Sequence, residues 1–377
     1  MRAYLDWNAT APPHPAVLEA MRRAAAEGWG NPSSVHAEGR AARRFVEGAR
    51  EALAELLGKD ARDVLFTSGG TEANNVGIVS AMQRPGKLLV SKLEHPSVMR
   101  VAERYEAEGR VRWLGVTPKG AIDLDDLRAA LDEGPVAAVA ALAVSSEIGT
   151  IQPLDDVIGL AQARGAWVHV DAVQAAGRVQ SATILARRAD SVSVAGHKLR
   201  GPKGIGALVT QPNARLVPVL VGGGQERGLR PGTVDAIACA GLEVAIRHAE
   251  EGARAYASKA PLRDRLEAAL VALGAERNVD PSAPRAPHVA SLAFPRFSGA
   301  EIVAALDLEG VAISAGPACS AGTMTPSVTL TLLHGEERAR RSARISLGEE
   351  TTEADVDFAL AAFERVLRRL ESATETA

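Results

Sequence analysis

From residue 36 onward, short β-branched apolar runs alternate with long amphipathic stretches, and few folds accept that rhythm. Gly39 to Leu57 carries apolar residues at helical spacing and stops at Gly58, the residue type best suited to the left-handed turn after a helix. Val64 to Thr67 reads as a strand, Thr71 to about Gln83 as a helix, and Lys87 to Ser91 as a strand again. Pro96 to Glu108 reads as a helix with proline in its first turn. The nine-residue run Val136 to Val144 is too short and too uniformly apolar for a surface helix, so it fits a strand buried on both faces. Trp167 to Val170 and Val192 to Val194 continue the series. A βαβα order of this kind predicts an α/β fold, a mostly parallel sheet with helices on both faces. Ligands then sit beyond the carboxyl ends of the strands.

The rhythm changes near residue 250. Pro261 to Leu273 and Glu353 to Leu370 read as helices, with strand-like Val289 to Phe294 and Val311 to Ser314 between them, which predicts a smaller α+β unit. The length of 377 residues suits two domains or one large one. At 46% apolar and 24% charged the chain can bury a sizeable core. A net charge of −3 disfavours a general nucleic-acid binder, which needs a basic field. Two cysteines, Cys239 and Cys319, are too few for a disulfide scaffold or a cysteine-rich zinc site, and no metal site is expected. MRAYLDWNATAPPHP lacks the apolar centre of a secretory signal, and no apolar run approaches a bilayer span. The expectation is a soluble, cytoplasmic protein with no nucleic-acid or membrane partner.

Four segments carry residues suited to chemistry. FTSGGTEANN (66–75) is a strand, a glycine pair and a helix start. Its backbone N–H groups and helix dipole favour an anion; the plainer alternative is an ordinary turn with Thr71 as N-cap. WVHVDAVQAAG (167–177) ends a strand in Asp171 with Gln174 one turn on. Asp171 there either meets a bound cofactor or caps the next helix. SVSVAGHKLRGPKGIGALV (191–209) places His197 and Lys198 after a short strand. A lysine in such surroundings can serve as a Schiff-base amine, but the segment alone does not choose between Lys198 and Lys203. VAISAGPACSAGTMTPS (311–327) sets Cys319 among small residues, where a thiol is either accessible or simply packed. Cys239, on an apolar helical stretch, reads as core. EHP (94–96) puts His95 at a strand end, and GGGQERGLRPGT (222–233) is a glycine-rich loop ending in Thr233.

In this order the segments resemble the fold-type I pyridoxal-phosphate enzymes, and more narrowly the cysteine desulfurases (NifS/IscS-like) of the class V aminotransferase family. LDWNATAPP (5–13), GNPSSVHAEGR (30–40), EIGTIQP (147–153) and ARISLG (343–348) extend the resemblance through nearly the whole chain. It implies a large cofactor-binding domain over 12–250 and a small domain, from 1–11 and 251–377, that carries the cysteine loop. It also implies pyridoxal 5′-phosphate (PLP) as cofactor. Lys198 would be the Schiff-base lysine and proton carrier, Cys319 the thiolate that takes sulfur from L-cysteine, and His95 the group that stacks on the ring and assists proton transfers. Gly70, Thr71 and His197 would hold the phosphate, with Thr233 of the opposite subunit of a homodimer. Asp171 would pair with the pyridine nitrogen, Gln174 with the phenolic oxygen, and Ser146 would stand near the ring. Arg344 would hold the substrate carboxylate, with Asn31 in a motif lining the same pocket. L-Alanine would be the product, and the sulfur would pass to an acceptor protein such as an iron–sulfur scaffold or a thiolation carrier.

Three positions depart from the family pattern. Ala195 stands where a phosphate-binding serine is usual, Ser145-Ser146 where two asparagines are usual, and Asp6-Trp7-Asn8-Ala9 where Asp-Asn-Ala is usual. A selenocysteine lyase or another class V aminotransferase of the same fold is the main alternative, and the Ala195 and Ser146 departures suggest a non-catalytic assembly subunit as a further one.

Overall fold

The computed structural model describes residues 1–315 and 326–375. The chain opens with a short strand, β1 (Ala3–Tyr4), and two helices, α1 (Pro15–Glu27) and α2 (Ala37–Leu57). Then strand and helix alternate: β2 (Val64–Thr67), α3 (Gly70–Ala81), β3 (Lys87–Ser91), α4 (Pro96–Glu106), β4 (Val111–Leu114), α5 (Leu124–Asp132), β5 (Val136–Leu142), α6 (Leu154–Ala163), β6 (Trp167–Asp171), α7 (Gln180–Ala186) and β7 (Ser191–Ala195). β8 (Gly206–Thr210) precedes three helices, α8 (Ala236–Arg247), α9 (Ala249–Ala257) and α10 (Ala260–Ala272). The remainder comprises β9 (Glu276–Arg277), β10 (Val289–Ala293), α11 (Gly299–Leu308), β11 (Val311–Ala312), α12 (Val328–His334), α13 (Glu336–Arg340), β12 (Ser342–Ser346) and α14 (Glu353–Glu375).

Seven strands form the main sheet in the order β2-β8-β7-β6-β5-β3-β4. β8 runs antiparallel to both its neighbours, while the pairings β7-β6, β6-β5, β5-β3 and β3-β4 are parallel. The apolar run of β5 has the burial that its composition predicts, with alternate residues committed to opposite faces. Val139 and Ala141 join a core with α2, α6 and α8, whereas Ala138 and Ala140 pack with Ile78 of α3 and Val98 and Val101 of α4. Both faces are therefore dry, which accounts for strands without polar alternation.

β2 is an outer strand, and its open edge is closed by side chains. Arg50 donates to the Val64 carbonyl at 2.8 Å, and Glu226 accepts from the Phe66 N–H at 3.0 Å. Arg50 and Glu226 pair with each other at 2.6 Å with little exposure. Glu226 and Arg227 reach this edge from consecutive left-handed residues, φ 46° and 61°. The glycine-rich loop is thus docked against backbone groups that would otherwise invite another strand.

A second apolar core joins Ala3 and Leu5 to Leu266, Leu292, Ile302, Val311, Ile345 and Phe363. It lies on the sheet β12-β10-β9, whose pairings are antiparallel, and on the parallel pair β1-β11. The N-terminal arm therefore packs with residues some three hundred positions later. No helix among the described residues is long and apolar enough to cross a membrane.

Candidate functional site

The carboxyl ends of β2, β3, β5, β6 and β7 converge on a cavity of about 290 Å³. It brings together Gly70, Thr71, His95, Ser146, Asp171, Gln174, His197, Lys198 and Arg344, with Asn8, Asn74, Ser97 and Ala195 also in its wall. Asn31 and Thr233 are exposed and lie outside that wall. Asn31 accepts from the Ser33 N–H at 2.9 Å in the turn before α2. Cys319 lies outside the described residues, while Cys239 is fully buried, as its apolar helix predicts.

The cup at residues 67–71 is built from backbone. Gly69, with φ 153°, occupies a conformation open to glycine, and it caps α3 without any side-chain hydrogen bond. The N-cap is therefore Gly69 and not Thr71, which lies inside the first turn; the alternative of Thr71 as cap is corrected. Gly206 of β8 backs the turn, and a Cβ there would fall 2.7 Å from the Gly69 Cα. The first N–H groups of α3 thus open on the cavity with the positive end of the helix dipole.

Asp171 ends β6, and no helix starts there, since α7 begins nine residues on at Gln180. The helix-cap alternative for Asp171 is thereby overturned. The carboxylate, 7% exposed, accepts from the Val173 N–H at 2.9 Å and from Asn74 Nδ2 at 2.8 Å, which fixes its plane. Gln174 is held at both ends of its amide. Its Nε2 donates to the Asn8 carbonyl at 3.0 Å, and its Oε1 accepts from Arg178 at 2.8 Å.

Lys198 follows β7 on a short helical turn. Its Nζ donates to the carbonyls of Asn8 and, at 2.7 Å, of Ala9. Arg178 grips the Lys198 carbonyl with Nε at 3.1 Å and Nη2 at 2.9 Å, so the lysine backbone is fixed from behind. Lys203 is not among the cavity residues. His197 hydrogen-bonds Thr10 at 3.1 Å. Burial, with the Lys198, Arg178 and Lys203 charges behind it, pulls its imidazole down to about 4, so it is neutral at pH 7.

Arg344 enters from β12. It donates to the Ser146 carbonyl at 3.1 Å and pairs with Asp6 at 2.6 Å, and its buried Nε has no hydrogen-bond partner among the described residues. A buried guanidinium edge left without an acceptor is a place for an incoming carboxylate. Glu94 lies under the cavity wall, with one oxygen on the Leu142 N–H at 2.8 Å and the other without a hydrogen-bond partner among the described residues. Burial, reinforced by the Asp171 charge, pushes it up to about 8.

Sequence reasoning did not reach Asn8, Asn74, Ser97 or Arg178 as parts of the site. Asn8 alone accepts from Arg178 and His288 at 3.0 Å each and donates to the Ser146 carbonyl at 3.0 Å. The available signal was polar residues at otherwise apolar positions, such as Asn74 on the buried face of α3.

The residues fit a phosphorylated pyridine aldehyde. A backbone cup suits the phosphate, a fixed carboxylate suits a ring N–H, and a lysine amine stands within the same cavity. The comparisons agree. Residues 3–358 match the family model described as aminotransferase class-V. The chain is 36% identical to the cysteine desulfurase of Nostoc sp. strain PCC 7120, covering 98% of this chain and 94% of that one. It is 34% identical to the cysteine desulfurase IscS of Dictyoglomus turgidum, over 98% and 95% of the two chains. Among solved structures it is similar to a NifS-like protein, with a TM-score of 0.89 and 31% identity over 98% of this chain and all of that one. It is also similar to SspA in complex with cysteine, with a TM-score of 0.78 and 31% identity over 93% of this chain and all of the other.

Proposed function

The chain belongs to the class V aminotransferase family, and on that premise we propose that it is a PLP-dependent cysteine desulfurase. The observation that supports this reading is the gathering of Lys198, Asp171, His95, Gln174 and Arg344, from four separate segments, around one cavity. When bound, the cofactor supplies an electron sink for the carbon from which a proton is taken. Lys198 would hold that cofactor and, once its amine is released, move the Cα proton. Asp171 would keep the ring nitrogen protonated, its plane set by Asn74 and Val173. Gln174 donates one amide hydrogen to Asn8 and has a second to offer the phenolic oxygen. The α3 N-terminus and neutral His197 would hold the phosphate, with Thr233 of a second copy, in a homodimer, completing it. Arg344 would orient L-cysteine by its carboxylate.

Cys319, as thiolate, would then attack the substrate sulfur. An S–S bond forms, the C–S bond breaks, and the electron pair left on carbon takes a proton to give L-alanine. L-Cysteine and the enzyme thiol together equal L-alanine and the enzyme persulfide, so no external oxidant is needed. The persulfide sulfur would pass to an acceptor protein of iron–sulfur assembly or of a thiolation route. We read residues 12–250 as the cofactor-binding domain and 1–11 with 251–377 as the domain that brings Cys319 to it. A cytoplasmic location completes the reading.

Incubation with PLP, L-cysteine and a reductant tests the reading by alanine and sulfide release. Cys319→Ala is expected to abolish both. Equal alanine formation by the two proteins would favour an aminotransferase-like activity, and faster turnover of selenocysteine would favour a lyase of that substrate.

A further inference from the structure

Beside the cavity, a buried polar chain joins the partner of the ring nitrogen to the stacking histidine, and its hydrogen-bond directions are all determined. Asp171 has only acceptor oxygens to offer, with Oδ1 on the Val173 N–H at 2.9 Å, so the Asn74 atom 2.8 Å from Oδ2 is the amide nitrogen. Its second hydrogen goes to Ser97 Oγ at 2.9 Å. Asn74 Oδ1 must then accept, and it takes the Ser193 hydroxyl and His169 Nε2, the latter at 3.0 Å. His169 Nδ1 in turn meets Ser191 Oγ at 2.9 Å, a hydroxyl whose oxygen already accepts from Trp167 Nε1 at 2.9 Å. The far end of the chain is thus anchored by the indole N–H, a group that only donates.

The near end reaches His95. Its Nδ1 caps α4 by accepting the Ser97 N–H at 3.1 Å. An Nδ1 that accepts this N–H has no hydrogen to give, so Ser97 Oγ, 2.7 Å from the same atom, directs its hydroxyl hydrogen there. Two donors converge on one ring nitrogen, so that nitrogen carries no proton and the neutral ring carries its hydrogen on Nε2. The nitrogen able to accept a proton is thus taken up by the Ser97 N–H and hydroxyl.

We propose that Asn74 and Ser97 are positioning residues that hold His95 as its Nε2–H tautomer, so that His95 acts as a ring support and hydrogen-bond donor and proton transfer at substrate carbon falls to Lys198. The proposal rests on the PLP site described above and narrows the role of His95 within it. Ser193 is spent in the same chain, bonded to Asn74, so it is not a substitute for the hydroxyl missing at Ala195.

Long-range ¹H–¹⁵N correlation on histidine-labelled full-length protein loaded with PLP reads the tautomer directly, with His95 assigned by its loss in His95→Gln. The expected pattern at pH 7.5 is a protonated Nε2 and a bare Nδ1; a proton on Nδ1 overturns the proposal. Ser97→Ala retains the backbone donor but loses the hydroxyl. It is expected to shift the Nδ1 resonance and to lower kcat about fivefold with KM unchanged, the weight of one ordinary hydrogen bond. An unchanged resonance in Ser97→Ala overturns the relay. Asn74→Leu keeps the shape while removing both amide hydrogens, without setting a second carboxylate 2.8 Å from Asp171. It is expected to give mixed His95 tautomers, and a wild-type spectrum there also overturns the proposal. The absorption band formed on adding PLP separates the two readings, because the tautomer remains measurable in a chain that fails to form it.

Discussion

Ala195 is the residue at which the cavity is least complete. It ends β7 in the cavity wall, and its methyl lies 3.7 Å from where a Cβ on Gly70 would stand, close to the amino end of α3. A hydroxyl here would add one donor to the phosphate cup. Ala195→Ser is expected to tighten PLP binding about fivefold, measured by titration of the cofactor's absorption or fluorescence. Glu94 supports a second expectation. Its proton is held in the folded state up to about pH 8 but lost from the unfolded chain near 4.5, so folding binds a proton between those values. Stability conferred by Glu94 is therefore full below about 4.5 and lost as pH rises toward 8. Glu94→Gln should flatten this slope in denaturant melts at pH 5 to 8, and an unchanged slope would assign it to other groups. At this scale the sequence was legible where chemistry is concentrated in short motifs. Asp171 and His95 stood out because each lies at a strand end, whereas the choice of Lys198 over Lys203 came from the family resemblance. Asn74 and Arg178 did not, because their partners come from β6, β7, α4 and the N-terminal arm, which are neighbours only in space.

Among the elements, strand runs were the most legible feature, since burial on both faces leaves an unbroken apolar signature: β2 and β3 have the bounds that their sequences predict. Helix ends drifted by a few residues, as with α4, which stops at Glu106 and not Glu108. The reversal of β8 was not legible, because a buried antiparallel strand has the same composition as a buried parallel one. Nor did the glycine-rich loop announce what it does for β2. Its docking rests on the Arg50–Glu226 pair, with side chains 12% and 5% exposed. Glu226→Gln leaves that guanidinium with only the half-exposed Glu47, 3.2 Å away, as counter-charge and is expected to cost about 2 kcal/mol in stability. Equilibrium unfolding measures the loss, and limited proteolysis should show earlier cleavage in 222–233.

Across the whole molecule, the buried histidines set a limit on the acid side. Burial lowers both His169 and His197 to about 4, from 6.5 in the unfolded chain. The unfolded state therefore binds more protons between those values, and stability should fall as pH drops from about 6.5 toward 4. Urea midpoints across this range check the slope, with His169→Gln reducing it. That β9, β10 and β12 form a sheet of their own was foreshadowed by the change of rhythm near residue 250. That β1 packs with the later residues followed only from the family resemblance, since two residues carry too little pattern to say where they pack.

The grip of Arg178 on the Lys198 carbonyl has a kinetic consequence. A lysine whose main chain is clamped can swing only its four methylenes, so an amine released in the proposed turnover would stay tethered within a few ångströms of where it was bound. Its effective concentration there is set by the tether, not by diffusion, and corresponds to the high effective molarity of an intramolecular reaction. If Lys198 carries the cofactor as proposed, its recapture after each cycle would compete well with escape.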